Sequence, residues 1–234
     1  MRLNKHIASA TSLSRRAADE EIEGGNVKVN GDVCSTHGYI VQPDDLIEYK
    51  GKRLQAHAFR YYLLNKPVGY ICSTTMQSQD DLLAIDLVKT SIPVHSVGRL
   101  DKNTSGLLIF TNDGEFTKAI THPSNKVEKE YIATTSTPLN QSLLREIKNG
   151  VIIEGRRVFP RRIKLISSRK VQIVLVDGKK HEVRKLIGTV SKVSTLRRVR
   201  IGSLRLESLD PGECRAISKE KAYAIFGSNL NDQI

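Results

Sequence analysis

In the run Val97-Gly98-Arg99-Leu100-Asp101-Lys102-Asn103-Thr104-Ser105-Gly106-Leu107-Leu108-Ile109, a polar loop separates two apolar stretches. That pattern calls for two buried elements joined by a short connection. It sets one carboxylate, Asp101, among the cations Arg99 and Lys102. Nearby cations favour the ionised form of a carboxylate, and loops held by strands commonly carry chemistry. The same residues also suit a plain Asx turn, and on local grounds both readings stand.

The elements around this run alternate without regular βαβ repetition. Strand patterns cover residues 61–65, 94–97, 106–110, 130–133, 163–166, 171–176 and 198–206. Helical faces are marked by Phe116, Ala119 and Ile120, by Leu143, Leu144 and Ile147, and by Val183, Leu186, Ile187 and Val190. The expected fold class is α+β: a small N-terminal α/β module and a larger domain with a mostly antiparallel mixed sheet flanked by helices. The expected division is residues 1–50 for the module, 51–60 for a polar and basic linker, and 61–234 for the larger domain.

Charge narrows the partner. The net charge is +12, and residues 145–205 hold 18 of the 37 basic side chains against 4 of the 25 acidic ones. An excess confined to one stretch suggests a surface for a polyanion. No apolar run approaches the roughly 20 residues needed to cross a bilayer, and the polar N-terminus is unlike a signal peptide. Cys34, Cys72 and Cys214 are widely spaced, as expected of reduced thiols in a cytoplasmic protein. The six histidines are scattered as well, so no metal site is expected.

The N-terminal module begins with helical spacing at Leu3, Ile7 and Ala10. Ser14 caps a second helix that stops at Gly24-Gly25. Alternation around Asn30-Gly31 signals a hairpin, and residues 46–49 read as a short strand. Arg15 and Arg16 fall in the first turn of the second helix, where cations oppose the helix dipole. Two arginines beside free N–H groups suit a phosphate; two solvated side chains suit the pattern equally. Arg2-Leu3-Asn4-Lys5, Ser14-Arg15-Arg16-Ala17-Ala18, Ile22-Glu23-Gly24-Gly25-Asn26-Val27 and Val29-Asn30-Gly31 resemble a small RNA-binding domain. It is shared by a bacterial small-subunit ribosomal protein, several RNA-modifying enzymes and some tRNA synthetases. The resemblance moves Arg15 and Arg16 toward RNA contact.

Three further motifs stand in order: Gly98-Arg99-Leu100-Asp101, Lys129-Glu130-Tyr131-Ile132-Ala133, and Gly178-Lys179-Lys180-His181-Glu182-Val183-Arg184-Lys185-Leu186. With Lys66-Pro67-Val68-Gly69 and Arg198-Val199-Arg200-Ile201-Gly202, nearly the whole chain resembles bacterial ribosomal-RNA pseudouridine synthases of the RsuA/RluB/RluE/RluF type. The resemblance implies isomerisation of a uridine to pseudouridine, with no metal, redox step or other cofactor. The base is turned out of its helix and rejoined to the sugar through carbon.

Site residues follow from the same resemblance. Asp101 matches the essential aspartate, which attacks the sugar, attacks the base or removes a sugar proton. Tyr131 matches the tyrosine that stacks on the target base. Arg184 matches the arginine that pairs with the aspartate and holds it ionised. Arg99, Lys102, Lys179, Lys180, Arg198 and Arg200 are expected to hold RNA, with Arg15 and Arg16. Leu186 is expected to pack beneath the site. Many members have Asn-Arg-Gln where this chain has Lys180-His181-Glu182, and Ala133 and Gly188-Thr189 also depart from the pattern.

The expected partner is ribosomal RNA or a partly assembled subunit, with a slight lean to the large subunit and a monomer as the default. A non-catalytic RNA-binding assembly factor on the same fold is the alternative. A carboxylate glycoside hydrolase would require a second facing carboxylate, and the candidate loop offers one.

Overall fold

The computed structural model describes residues 1–227 apart from Ser12, Ala56, Glu154, Lys179 and Lys180. Two compact units are present: Met1–Phe59 with Thr90–Pro93, and Arg60–Lys89 with Val94–Ile234.

In the first unit, helices α1 (Leu3–Ala10) and α2 (Arg15–Glu23) accompany a four-stranded sheet of β1 (Val27–Val29), β2 (Asp32–Val33), β3 (Ile47–Tyr49) and β4 (Lys52–Arg53), ordered β2-β1-β3-β4. The Ser14 hydroxyl accepts from the Ala17 N–H and so caps α2. Asn30 and Gly31 both have positive φ, 54° and 92°, as a two-residue hairpin turn demands. Leu3, Ile7, Ala18, Ile22, Val27 and Ile47 form the core. Each fully buried Leu or Ile side chain contributes about 1.5–3 kcal/mol. Strand β4 carries the sheet beyond residue 50, into the stretch read as linker.

The second unit is built on one mixed sheet. Its main strands are β5 (Tyr61–Lys66), β6 (Ser105–Thr111), β7 (Lys129–Thr135), β8 (Arg162–Ser167), β9 (Lys170–Leu175), β10 (Val193–Ile201) and β11 (Cys214–Ile217). They lie in the order β8-β9-β7-β10-β6-β5-β11, with short strands His95–Ser96 on β6 and Leu204–Arg205 on β10. All of these neighbours are antiparallel except β10 and β6, which run parallel. Helices α3 (Gly114–Thr121), α4 (Gln141–Lys148), α5 (Glu182–Gly188) and α6 (Lys219–Tyr223) complete the unit.

The parallel pair sits mid-sheet, where β6 emerges from the Asp101 loop. Ser105 pairs with Arg197 and Gly106 with Arg198. Gly106 has φ +105°, and a Cβ there would stand 2.1 Å from the Arg198 carbonyl oxygen. Only glycine permits that approach. Separate core clusters surround the sheet, one around Leu186 and Ile187 of α5 and another around Phe116 of α3. Leu186 is fully buried among them.

Two elements differ from the sequence reading. The strand expected over 198–206 begins at Val193 and is interrupted after Ile201, because Gly202 turns the chain with φ +52°. The α5 helix stops at Gly188, short of Val190, where Gly188-Thr189 is poor helix sequence.

Candidate active site

The Asp101 loop is held by its main chain from several sides. The Leu100 N–H donates to Cys72 Sγ at 3.3 Å, and the Thr104 N–H to the Asp101 carbonyl at 2.9 Å. The Gly69 N–H donates to the Lys102 carbonyl at 2.9 Å. Arg184 Nη2 donates to the Asn103 carbonyl at 2.8 Å, and its Nη1 to the Val193 carbonyl at 2.9 Å. The loop is therefore tied both to the Lys66-Pro67-Val68-Gly69 segment and to helix α5, leaving the Asp101 side chain 37% exposed.

That carboxylate faces a cleft of about 550 Å³, whose wall includes Asp101, Thr104, Tyr131, Leu175, His181 and Arg198. Pockets that bury small ligands run about 300–1,000 Å³, and this cleft lies within that range. Tyr131 is half-buried on β7, directly across from Arg198 on β10. His181 Nε2 stands 3.4 Å from Asp101 Oδ1.

Two lysines adjoin the cleft: Lys66 lies buried behind its wall, and half-buried Lys129 lines it. Lys66 is fully buried, and its Nζ donates to the Pro67 and Tyr70 carbonyls at 2.8 Å each. Burial pushes its ammonium down to about 8, against the opposing pull of Cys72 and Asp101, while Arg198 pushes it further down. Lys129 Nζ donates to the Val176 carbonyl at 3.1 Å. Burial also lowers Lys129, Arg198 adds to the effect, and Asp177 and Glu182 oppose it.

The expected site residues divide. Asp101, Tyr131, Arg99 and Arg198 all line the cleft. Arg184 does not pair with Asp101. Two main-chain carbonyls occupy its fork, and His181 takes the place beside the carboxylate. Arg198 is 4% exposed and its Nε donates to the Leu107 carbonyl at 2.8 Å, so it is wall rather than phosphate-binding surface. Arg200 is likewise no surface contact. Its guanidinium bonds Glu128 at 2.9 Å and Glu130 at 2.8 Å. Arg99 is exposed at the cleft, and exposed Lys102 reaches Asp81 at 3.2 Å. Arg15 and Arg16 are exposed in the first turn of α2. Lys179 and Lys180 lie outside the described residues.

Three residues at or behind the cleft have no role assigned from the sequence. Lys66 stands in a matched motif, His181 stands in the third motif within the Lys180-His181-Glu182 departure, and Arg156 is one cation among many. Arg156 lines the cleft. Among the described residues no helix is long and apolar enough to cross a membrane, and no three His, Cys, Asp or Glu side chains cluster to hold a metal.

Residues 60–188 match the model of the RNA pseudouridylate synthase family. The chain belongs to that family. The enzyme is thus a pseudouridine synthase, an isomerase, and residues 1–47 match the S4 domain. A relative from Salmonella typhimurium, named ribosomal small subunit pseudouridine synthase A, is 33% identical, covering 96% of this chain and 100% of its own. An uncharacterized RNA pseudouridine synthase of Aquifex aeolicus is 36% identical over 97% of this chain and 94% of its own. A crystal structure of pseudouridylate synthase superposes with TM-score 0.69 at 28% identity, covering 96% of this chain and 99% of that one.

Proposed function

We propose that this enzyme converts a uridine of small-subunit ribosomal RNA to pseudouridine, with Asp101 as the catalytic carboxylate. The observation that carries the reading is the anchored Asp101 loop, which presents one exposed carboxylate to a cleft of nucleoside size. A target base turned out of its helix enters that cleft and stacks on Tyr131. Asp101 then attacks the sugar, attacks the base or removes a sugar proton. Arg184 positions Asp101 through the loop backbone rather than through a direct ion pair.

The choice of subunit is supported by relatives such as that from Salmonella typhimurium, which is named for the small subunit. It replaces the lean toward the large subunit drawn from local motif likeness. The N-terminal unit binds structured RNA through Arg15 and Arg16, and Arg99 meets phosphate beside the cleft. We take the enzyme to act in the cytoplasm, as a monomer.

The test is tritium release from ribosomal RNA carrying the label at C5 of uridine, offered as free RNA and as subunits. Wild type is expected to release label, and Asp101→Asn to lose at least about 10³-fold while still binding RNA. Near-normal turnover by Asp101→Asn would remove Asp101 from the chemistry. Tight RNA binding without release by wild type would favour an assembly factor.

A further inference from the structure

We propose that His181 is a further catalytic residue, the base that removes the C5 proton of uracil and returns a proton to N1. The proposal rests on the isomerase reading of the same cleft. Every route to pseudouridine ends with the same proton transfer. Once N1–C1′ is broken and C5 has bonded C1′, C5 carries both the new bond and its hydrogen. The His181 imidazole takes that hydrogen as a proton. The C5–H electron pair becomes the C5=C6 bond, the N1=C6 pair moves onto N1, and N1 takes a proton from the imidazolium. The imidazole ends neutral, and no oxidant or other reactant is consumed.

The geometry points to His181 for this step. Its Nε2 lies 3.4 Å from Asp101 Oδ1, and its ring is 46% exposed where it lines the cleft. A base there is adjacent to the sugar carbon that Asp101 serves. The ring is set by its backbone. His181 takes the left-handed conformation, φ 56° and ψ 23°, at the start of α5, while buried Glu182 and Val183 anchor the helix behind it. Non-glycine residues in that conformation cluster at active sites.

The neighbouring groups suit the task less well. A guanidinium offers only donors, which sets aside Arg99 and Arg198 as bases. The ammonium of Lys66, behind the wall, already donates to two main-chain carbonyls, and that of Lys129, which lines the cleft, donates to the Val176 carbonyl. Asp177 and Glu182 also line the cleft, but carboxylates are weaker bases than imidazole. Imidazole both accepts and releases a proton near neutral pH.

The experiment compares RNA with 5-protio and 5-deuterio uridine, using wild type, His181→Asn, His181→Gly and Tyr131→Phe. Asparagine tolerates the left-handed backbone, and glycine removes any strain there. His181→Asn is expected to bind RNA normally, to turn over about 10²-fold more slowly, and to show a larger deuterium isotope effect than wild type. Free imidazole is expected to restore His181→Gly. Activity of His181→Asn within twofold of wild type would overturn the proposal. So would slow turnover with no added isotope effect and no imidazole rescue, or an isotope effect that grows in Tyr131→Phe instead. If wild type makes no pseudouridine on RNA it binds, the isomerase reading fails first and this inference falls with it. An active wild type beside a fully active His181→Asn sinks this inference alone.

Discussion

Arg184 and Asn103 are joined by a hydrogen bond of 2.8 Å from the guanidinium to the main-chain carbonyl, two residues beyond Asp101. The other guanidinium nitrogen holds Val193 at the start of β10. One side chain thus spans the Asp101 loop and the central strand. Lysine has no fork and cannot reproduce both bonds. Arg184→Lys is expected to lower turnover by about 10²-fold, the scale of an ångström-sized misplacement at a reacting centre. RNA affinity should stay within about twofold. A parallel drop in affinity, measured by filter binding, would argue that Arg184 touches RNA instead.

Gly106→Ala tests the close approach of β6 to β10. The added Cβ would meet the Arg198 carbonyl oxygen at 2.1 Å and its amide nitrogen at 2.7 Å, and the backbone is at φ +105°. Both contacts are main chain in the middle of the sheet, so neither relaxes by a rotamer change. A loss of about 4 kcal/mol or more is expected, which lowers the melting temperature by roughly 10 °C in a domain of this size. Thermal unfolding followed by circular dichroism reads it directly.

The loop around Asp101 and the Asn30-Gly31 hairpin were legible because local rules determine them: a polar run between apolar runs, and a two-residue turn with positive φ. The fates of Arg198 and Arg200 were not. Their strand reads as a row of cations, and burial depends on what crosses beside it. Arg200 meets Glu128 and Glu130, about 70 residues earlier in the chain, and Arg198 turns toward the Leu107 carbonyl on β6. Arg184 was recognised by motif, but its partner was not, because carbonyl positions have no sequence signature. His181 was hidden for a related reason, since its place beside Asp101 depends on a left-handed residue that no turn-forming motif announced.

Asp113 supplies a pH-dependent prediction. It caps α3 through the Glu115 and Phe116 N–H groups and accepts from the hydroxyls of Tyr61 at 2.7 Å and Tyr223 at 2.8 Å. Burial alone would raise its carboxyl. The bonds from Phe116, Tyr61, Tyr223 and Glu115 outweigh burial and hold it below the usual carboxylate value. A carboxyl depressed in the folded state stabilises fully above its unfolded value of about 3.9, and that stability disappears as pH falls through the lower folded value. Asp113→Asn is expected to cost about 3 kcal/mol at neutral pH and to flatten the acid limb of the stability curve. Urea unfolding from pH 7 down to pH 2 checks both, and equal acid limbs would refute the role.

Salt dependence separates the arginines that meet RNA from those that build the fold. Arg15 and Arg16 are exposed in the first turn of α2, so each phosphate contact they make releases counterions. Arg15→Gln and Arg16→Gln should each weaken RNA binding and reduce the slope of log affinity against log salt by about 1. Arg200 is 12% exposed in its side chain and faces two glutamates. Arg200→Gln should leave the slope unchanged and cost about 3 kcal/mol of stability, because Glu130 is left buried without its charge partner. Titrations at several salt concentrations beside thermal melts distinguish these outcomes. A reduced slope for Arg200→Gln with an unchanged melt would mean that the ion pairs open to admit phosphate.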